Sequence, residues 1–172
     1  MFYSVEERES TMNFITKAPV MLCGGDYNPD QWLDRPDILE ADIRMMKKAG
    51  INVIRIAEST WSSEEPEEGV FDAGAVAHYH DVITCCKKYG VEPFVTLHHF
   101  SSPKWLMTKG GWEASTTPAD FARYVHYIME ELGSELHYVC TINEANMGIQ
   151  VAAIAERYKR QMMAQMQAAQ TA

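Results

Sequence analysis

The pair Asn143-Glu144 is the part of this sequence whose residue types best suit catalysis. It directly follows Leu136–Ile142, an apolar stretch with the composition of a buried strand. A carboxylic acid that is partly shielded from water at a strand end can keep its proton and act as a general acid. A glutamate at this point can equally cap a following helix, so the residues alone leave both roles open.

Arg55 and the pair His98-His99 are the other chemically distinctive residues near the ends of predicted strands. An arginine inside an apolar strand needs a carboxylate partner, because an unpaired buried charge is costly. The candidate partner in the sequence is Glu58, and a carboxylate outside this chain is the alternative. The two histidines look like a metal-binding pair, but adjacent strand residues point to opposite faces. The sequence therefore predicts no metal site, and no cofactor is expected.

All four tryptophans, Trp32, Trp61, Trp105 and Trp112, fall in predicted loops that follow strands. Local packing explains any one of them, but four at one end of a sheet favour a surface on which sugar rings stack. Amide, imidazole and carboxylate groups nearby would then bind the sugar hydroxyls. The motifs of dinucleotide-binding proteins, P-loop proteins and serine hydrolases do not occur in the sequence.

The composition limits the partners that this chain can have. With 24 acidic and 15 basic residues, its net charge is −9. Such a surface repels phosphate backbones but not a neutral sugar, so nucleic acid is not an expected partner. No apolar run approaches the roughly 18 residues of a membrane span, and the acidic N-terminus does not resemble a secretory signal. The four cysteines show no CxxC spacing, and we expect free thiols in a cytoplasmic protein.

Short apolar stretches alternate with amphipathic ones along the chain, a pattern that predicts a parallel sheet built from strand-helix units. The acidic run Glu64–Gly69 between two units is predicted to be a solvated turn. The predicted strands are Val20–Cys23, Ile51–Ala57, Val91–Leu97 and Leu136–Ile142, and the predicted helices span about 34–50, 73–89, 117–133 and 147 to the end.

Two α/β architectures fit four such units. One is an open, doubly wound sheet, and the other is a (β/α)8 barrel, which typically needs about 250 residues. Both bind ligands at the carboxyl ends of the strands. The pattern places the domain over residues 20–172, preceded by an extension over residues 1–19, and leaves both architectures open.

Two segments in the second half of the sequence resemble family-1 glycoside hydrolases. Val95–Pro103 reads VTLHHFSSP, and Trp105-Leu106 and Gly110–Trp112 follow it. That family usually has Val-Thr-Leu-x-His-Trp-x-x-Pro and then Gly-Gly-Trp. Thr141–Ala145 reads TINEA, which is similar to the Thr-Phe-Asn-Glu-Pro motif of the same family. This resemblance covers about residues 90–147.

The first half of the sequence is closer to family-42 β-galactosidases. Gly24–Trp32 reads GGDYNPDQW and is similar to the opening motif of that family. Arg55–Trp61, followed by Glu65–Asp72, is similar to its second-strand motif. This resemblance covers about residues 20–72. Both families are retaining β-glycosidases on the same (β/α)8 barrel, so their combination in one chain is coherent. The resemblance therefore implies that residues 20–172 form the N-terminal half of such a barrel.

The resemblance implies roles for individual residues. Glu144 would be the general acid/base, and Asn143 would hydrogen-bond the sugar 2-hydroxyl. His99 would contact sugar hydroxyls, and Arg55 would position the nucleophile carboxylate. Gln31 would bind the sugar at the non-reducing end.

Three tryptophans and two positions that differ from the family-1 motifs complete the set of candidate residues. The stacking argument makes Trp32, Trp105 and Trp112 candidates for substrate binding. Ala145 stands where family 1 usually has proline, and Phe100 stands where it usually has tryptophan. These departures bear on the choice of sugar more than on the chemistry.

A retaining mechanism needs a second carboxylate about 5–5.5 Å from the first. In these families it lies on the seventh strand, beyond the four units predicted here. We therefore expect a β-galactosidase- or β-glucosidase-type chain that lacks its nucleophile and is inactive alone. The alternative is a noncatalytic carbohydrate-binding half-barrel that self-associates through its exposed sheet edges. A doubly wound enzyme is a third possibility, but it requires a cofactor motif that the sequence does not contain.

Overall fold

The computed structural model describes residues 20–56 and 60–170. Its centre is a parallel four-stranded sheet in which each strand lies beside the one that precedes it in the sequence. A doubly wound sheet reverses its strand order at a switch point, whereas a barrel keeps the order sequential. The sheet therefore has the arrangement of half a (β/α)8 barrel. The strands are β1 Gly24–Tyr27, β2 Val53–Ile56, β3 Glu92–His98 and β4 Tyr138–Ile142.

Helices follow each strand. Proline in the first turn of α1 suits a helix start, because its missing N–H has no partner there. The Asp72 carboxylate caps α3 by accepting from the N–H groups of Gly74 and Ala75. None of the described helices is both long and apolar enough to cross a membrane. The helices are α1 Pro36–Lys48, α2 Thr60–Glu64, α3 Ala73–Lys88, α4 Lys104–Thr108, α5 Thr117–Glu131 and α6 Met147–Gln170.

The two faces of the sheet differ in composition. On one face, the side chains of Ile54, Ile56, Val95 and Leu97 are buried with apolar residues of α1, α3 and α5. The other face carries Asp26 of β1 and the residues of the neighbouring strands that are aligned with it. Its central row is Asp26, Arg55, Phe94 and Tyr138. In a barrel this second face lines the interior.

The predicted first strand, Val20–Cys23, is wrong, because the strand begins at Gly24. The side-chain amide of Asn52 accepts from the Cys23 N–H at 2.7 Å and donates to the Met21 carbonyl at 2.9 Å. These bonds occupy main-chain groups of the predicted segment, and Met21 remains 88% exposed. The other three predicted strands lie within two residues of the observed ones at each described end.

The prediction of a solvated acidic turn over Glu64–Gly69 is also wrong at its start. Glu64 is 2% exposed and Glu65 is fully buried, whereas the following residues are exposed. Glu65 accepts from the Trp61 indole N–H at 2.8 Å and from the Gly69 N–H at 2.8 Å. Arg123 of α5 lies 2.7 Å from the same carboxylate. Arg123, which is distant in the sequence, therefore compensates for a charge that the local pattern assigns to solvent.

Candidate active site

The carboxyl ends of β2, β3 and β4 are joined by hydrogen bonds at Asn143. Its backbone N–H donates to the His98 carbonyl at 2.9 Å, which extends the pairing of β3 and β4. Its side-chain oxygen accepts from the Nη1 group of Arg55 at 2.8 Å. Because arginine only donates, this bond identifies the oxygen end of the amide and turns the NH₂ group away from Arg55.

Asp26 is the carboxylate partner of Arg55. Its Oδ1 accepts from Arg55 Nε at 2.7 Å, and its Oδ2 accepts from Nη2 at 2.6 Å. The hydrogen bond from Arg55 holds the pKa of the Asp26 carboxyl below its usual value. The predicted partner Glu58 lies outside the described residues, and the alternative of a carboxylate outside the chain is not needed. Asp26 and Arg55 face each other because β1 pairs with β2 in this register. The spacing of the two residues in the sequence does not show that pairing.

Glu144 occupies the turn between β4 and α6. Its backbone φ is 46°, a left-handed conformation that non-glycine residues rarely adopt. Its carbonyl accepts from the Met147 N–H at 2.8 Å, which helps to start α6. The side chain is exposed, so the described residues do not provide the shielding from water that was predicted for it. Its acid/base role stays a prediction.

The two adjacent histidines have different surroundings. His98 is 6% exposed, its Nε2 lies 3.0 Å from Ser102 Oγ, and burial lowers its pKa. His99 is half-buried, packs edge-on against Phe100, and is close enough to Asp26 to favour the ionised carboxylate. His99 thus lies near the Asp26–Arg55 pair. Within the described part of the chain, no three His, Cys, Asp or Glu side chains form a group that suits a metal ion.

Three of the tryptophans form one aromatic cluster instead of an open surface. Trp61 is fully buried and contacts the rings of Trp105 and Trp112. The Trp105 indole donates to the Glu65 carbonyl at 2.9 Å, and Lys109 lies 5.4 Å from the centre of a Trp105 ring. The prediction of a sugar-stacking surface is therefore wrong for Trp61, whose faces are covered by protein.

The remaining predicted substrate-binding residues lie nearer to solvent. Trp112 is 43% exposed, and its indole N–H donates to Ser102 Oγ at 3.1 Å. Gln31 is exposed and Trp32 half-buried in the 3₁₀ turn Pro29–Trp32. Trp112 lies beside His98, with 4.8 Å between the centres of the two rings, and keeps an accessible surface. The binding roles of these residues stay predictions.

Glu64 is a titratable group that the sequence analysis missed. Burial raises its pKa to about 8, despite a 2.6 Å contact with the Tyr124 hydroxyl. The same hydroxyl lies 3.1 Å from the carbonyl of Leu97, the residue before His98. No local signal could have identified it, because Tyr124 is 60 residues away in the sequence.

Comparison with known proteins gives one family and several partial matches. The family model "Glycosyl hydrolase family 1" matches residues 8–171. A 6-phospho-β-galactosidase of Lacticaseibacillus casei is 36% identical over 128 residues, which are 73% of this chain and 27% of that protein. A β-galactosidase of Bacillus subtilis is 61% identical over 51 residues, 30% of this chain and 8% of that protein.

Among solved structures, the β-glycosidase BGL167 superimposes with a TM-score of 0.66 at 32% identity. The match covers 76% of this chain and 38% of that one. The chain therefore spans less than a third of the length of the two curated relatives and well under half of the solved structure.

Proposed function

Because the chain belongs to glycosyl hydrolase family 1, we propose that it provides the acid/base half of a β-glycosidase active site. Glu144 is the proposed general acid/base. It protonates the glycosidic oxygen as the bond breaks and then activates the water that completes hydrolysis. Asn143 and His99 bind sugar hydroxyls in this proposal. The substrate is a β-linked sugar.

The Arg55–Asn143 hydrogen bond is the observation that carries this proposal. It fixes the amide oxygen of Asn143 and leaves the NH₂ group to donate to a ligand. Glu144 is the next residue, at the edge of the sheet where barrel enzymes bind their substrates. A residue that binds a sugar hydroxyl and a residue that transfers a proton are thus adjacent in the chain.

The proposed mechanism is retaining and needs a second carboxylate about 5–5.5 Å from the first. Asp26 is a poor candidate for that nucleophile, because both of its oxygens accept bonds from Arg55. We propose that the nucleophile comes from outside this chain. The isolated chain is then expected to bind β-glycosides without hydrolysing them.

The proposed substrates are β-galactosides or β-glucosides. The likeness of Gly24–Trp32 and Arg55–Trp61 to family-42 motifs and the match to a Bacillus subtilis β-galactosidase both favour galactosides. The Lacticaseibacillus casei relative is named a 6-phospho-β-galactosidase, so 6-phosphogalactosides are a further class of substrate to test.

Sugar binding by the purified chain tests this function. Saturation-transfer NMR would compare methyl β-galactoside and methyl β-glucoside with their α-anomers. We expect signals from at least one β-anomer, and we expect His99→Ala to abolish them. A matched exposed variant, His126→Ala on α5, should leave binding unchanged. A folded chain that binds none of these sugars would contradict the proposal.

The carbohydrate-binding half-barrel is a second candidate, and one observation favours it. Strands β1 and β4 lie at the two edges of the sheet, and an open edge invites pairing with another chain. Sedimentation velocity over a range of concentrations tests it. A stable dimer that binds sugar would favour this candidate, and a monomer at all concentrations would count against it.

A further inference from the structure

The guanidinium group of Arg55 connects the first strand of the sheet with the last. One edge of the group, Nε and Nη2, donates to Asp26 on β1, and Nη1 donates to Asn143 after β4. Asn143 lies 88 residues further along the chain than Arg55. Two parallel bonds along one edge and a third bond from Nη1 fix a planar group in one orientation. The position of the Asn143 amide therefore depends on how Arg55 is held.

We propose that Asp26 is a positioning residue, which holds Arg55 in the orientation from which Nη1 reaches Asn143. This inference rests on the proposed function in one respect only, namely that Asn143 and Glu144 are placed to act on a bound sugar. Its geometric part depends only on the bonds among Asp26, Arg55 and Asn143. Asp26 itself does not touch the reacting atoms in this account.

The chemistry of the Asp26 side chain suits this role. A carboxylate offers two acceptor oxygens, which match the two parallel N–H groups along one edge of a guanidinium. An asparagine has only one acceptor, and its NH₂ group would face an N–H donor. Asp26 and Arg55 are also register partners on adjacent strands, so a short side chain is sufficient to reach the arginine.

The test compares two arginine–aspartate pairs in the full chain. Asp26→Asn removes the proposed positioning charge. Asp37→Asn is the matched control, because Asp37 accepts from Arg35 through the same two donor atoms, Nε and Nη2, at 2.8 and 2.7 Å. The readouts are the ¹⁵N side-chain amide signals of Asn143, assigned with Asn143→Asp, the dissociation constant for methyl β-galactoside, and the thermal midpoint.

We expect Asp26→Asn to move the Asn143 amide signals and to weaken methyl β-galactoside binding at least tenfold. Asp37→Asn should change neither, and the two thermal midpoints should stay close together. Asn143 signals that coincide in Asp26→Asn and the wild type would overturn the inference. If the wild type binds no methyl β-galactoside, the proposed function fails, but the amide signals still decide the role of Asp26.

A measurement on the wild type covers the case in which Asp26→Asn does not fold. The ¹⁵N signals of the Arg55 guanidinium report its rotation directly. Three fixed bonds predict separate, slowly exchanging Nη signals for Arg55. A single averaged signal would overturn the inference.

Discussion

The carboxyl group of Glu64 lies 2.6 Å from the hydroxyl of Tyr124 inside the protein, and that hydroxyl also lies 3.1 Å from the Leu97 carbonyl. A tyrosine has one proton to donate, and a carbonyl only accepts. Both contacts can be hydrogen bonds at the same time when Glu64 is protonated. Glu64 then donates to the Tyr124 hydroxyl, and Tyr124 donates to the Leu97 carbonyl. Ionised Glu64 would instead accept the hydrogen bond of the Tyr124 hydroxyl and leave that Leu97 contact unmade.

Glu64 should therefore make stability depend on pH. Its pKa rises from 4.5 to about 8 on folding, so its contribution is complete below pH 4.5 and is lost as the pH rises through 8. Between these values the free energy of unfolding should fall by up to about 1.4 kcal/mol per pH unit from this group. Urea unfolding from pH 5 to 9 would measure it, and Glu64→Gln should remove this part of the slope.

The control for this prediction is Glu67→Gln, since Glu67 is exposed in the same acidic run. It should retain the pH dependence of the wild type. Equal slopes for Glu64→Gln and the wild type would show that Glu64 is ionised in the folded protein at neutral pH.

Two adjacent glycines at the start of β1 should respond differently to substitution. A Cβ atom on Gly24 would lie 1.7 Å from the Val53 carbonyl oxygen, whereas one on Gly25 would meet nothing within 4 Å. Gly24→Ala must therefore push β1 away from β2, while Gly25→Ala is accommodated. Thermal unfolding should show a large loss of stability for Gly24→Ala only. Similar midpoints for both variants would mean that β1 is not held against β2 as described.

Trp61 should be the most costly tryptophan to remove in the described part of the chain. It is fully buried, and its indole N–H donates to the buried Glu65 carboxylate at 2.8 Å. Trp61→Ala should cost about 3–5 kcal/mol of unfolding free energy. Trp112→Ala is the matched control and should cost less than half as much, since Trp112 is 43% exposed. Denaturant titration would compare them, and a reversed order would refute the central position of Trp61.

Most of the fold follows from patterns visible in the sequence, because those patterns are local. The apolar stripes of α1, α3 and α5 and the β-branched stretch before Ala57 locate three helices and a strand to within a few residues. The β1 strand was misplaced because its position depends on a close approach of Gly24 to Val53 and on the bonds of Asn52. Contacts between strands are not visible in the composition of either strand.

The candidate site was only partly predictable for the same reason. Asn143, Glu144 and His99 stand in short motifs next to apolar stretches, so their proximity to the sheet edge could be inferred. The partner of Arg55 could not, because Asp26 precedes it by 29 residues and is aligned with it by register. Glu64 is buried against Tyr124, which lies 60 residues away in the sequence, so no local pattern shows this contact.

The central claim is that Glu144 supplies the proton in a β-glycosidase site whose nucleophile lies outside this chain. Formate can stand in for that nucleophile as a small carboxylate, so release of phenol from phenyl β-galactoside and β-glucoside, whose basic leaving group needs a proton, should be measured with and without formate. We predict no release without formate, and with formate a release at least tenfold faster from the wild type than from Glu144→Gln. Equal formate-dependent rates would contradict the role of Glu144, and release without formate that Glu144→Gln abolishes would place the second carboxylate within this chain.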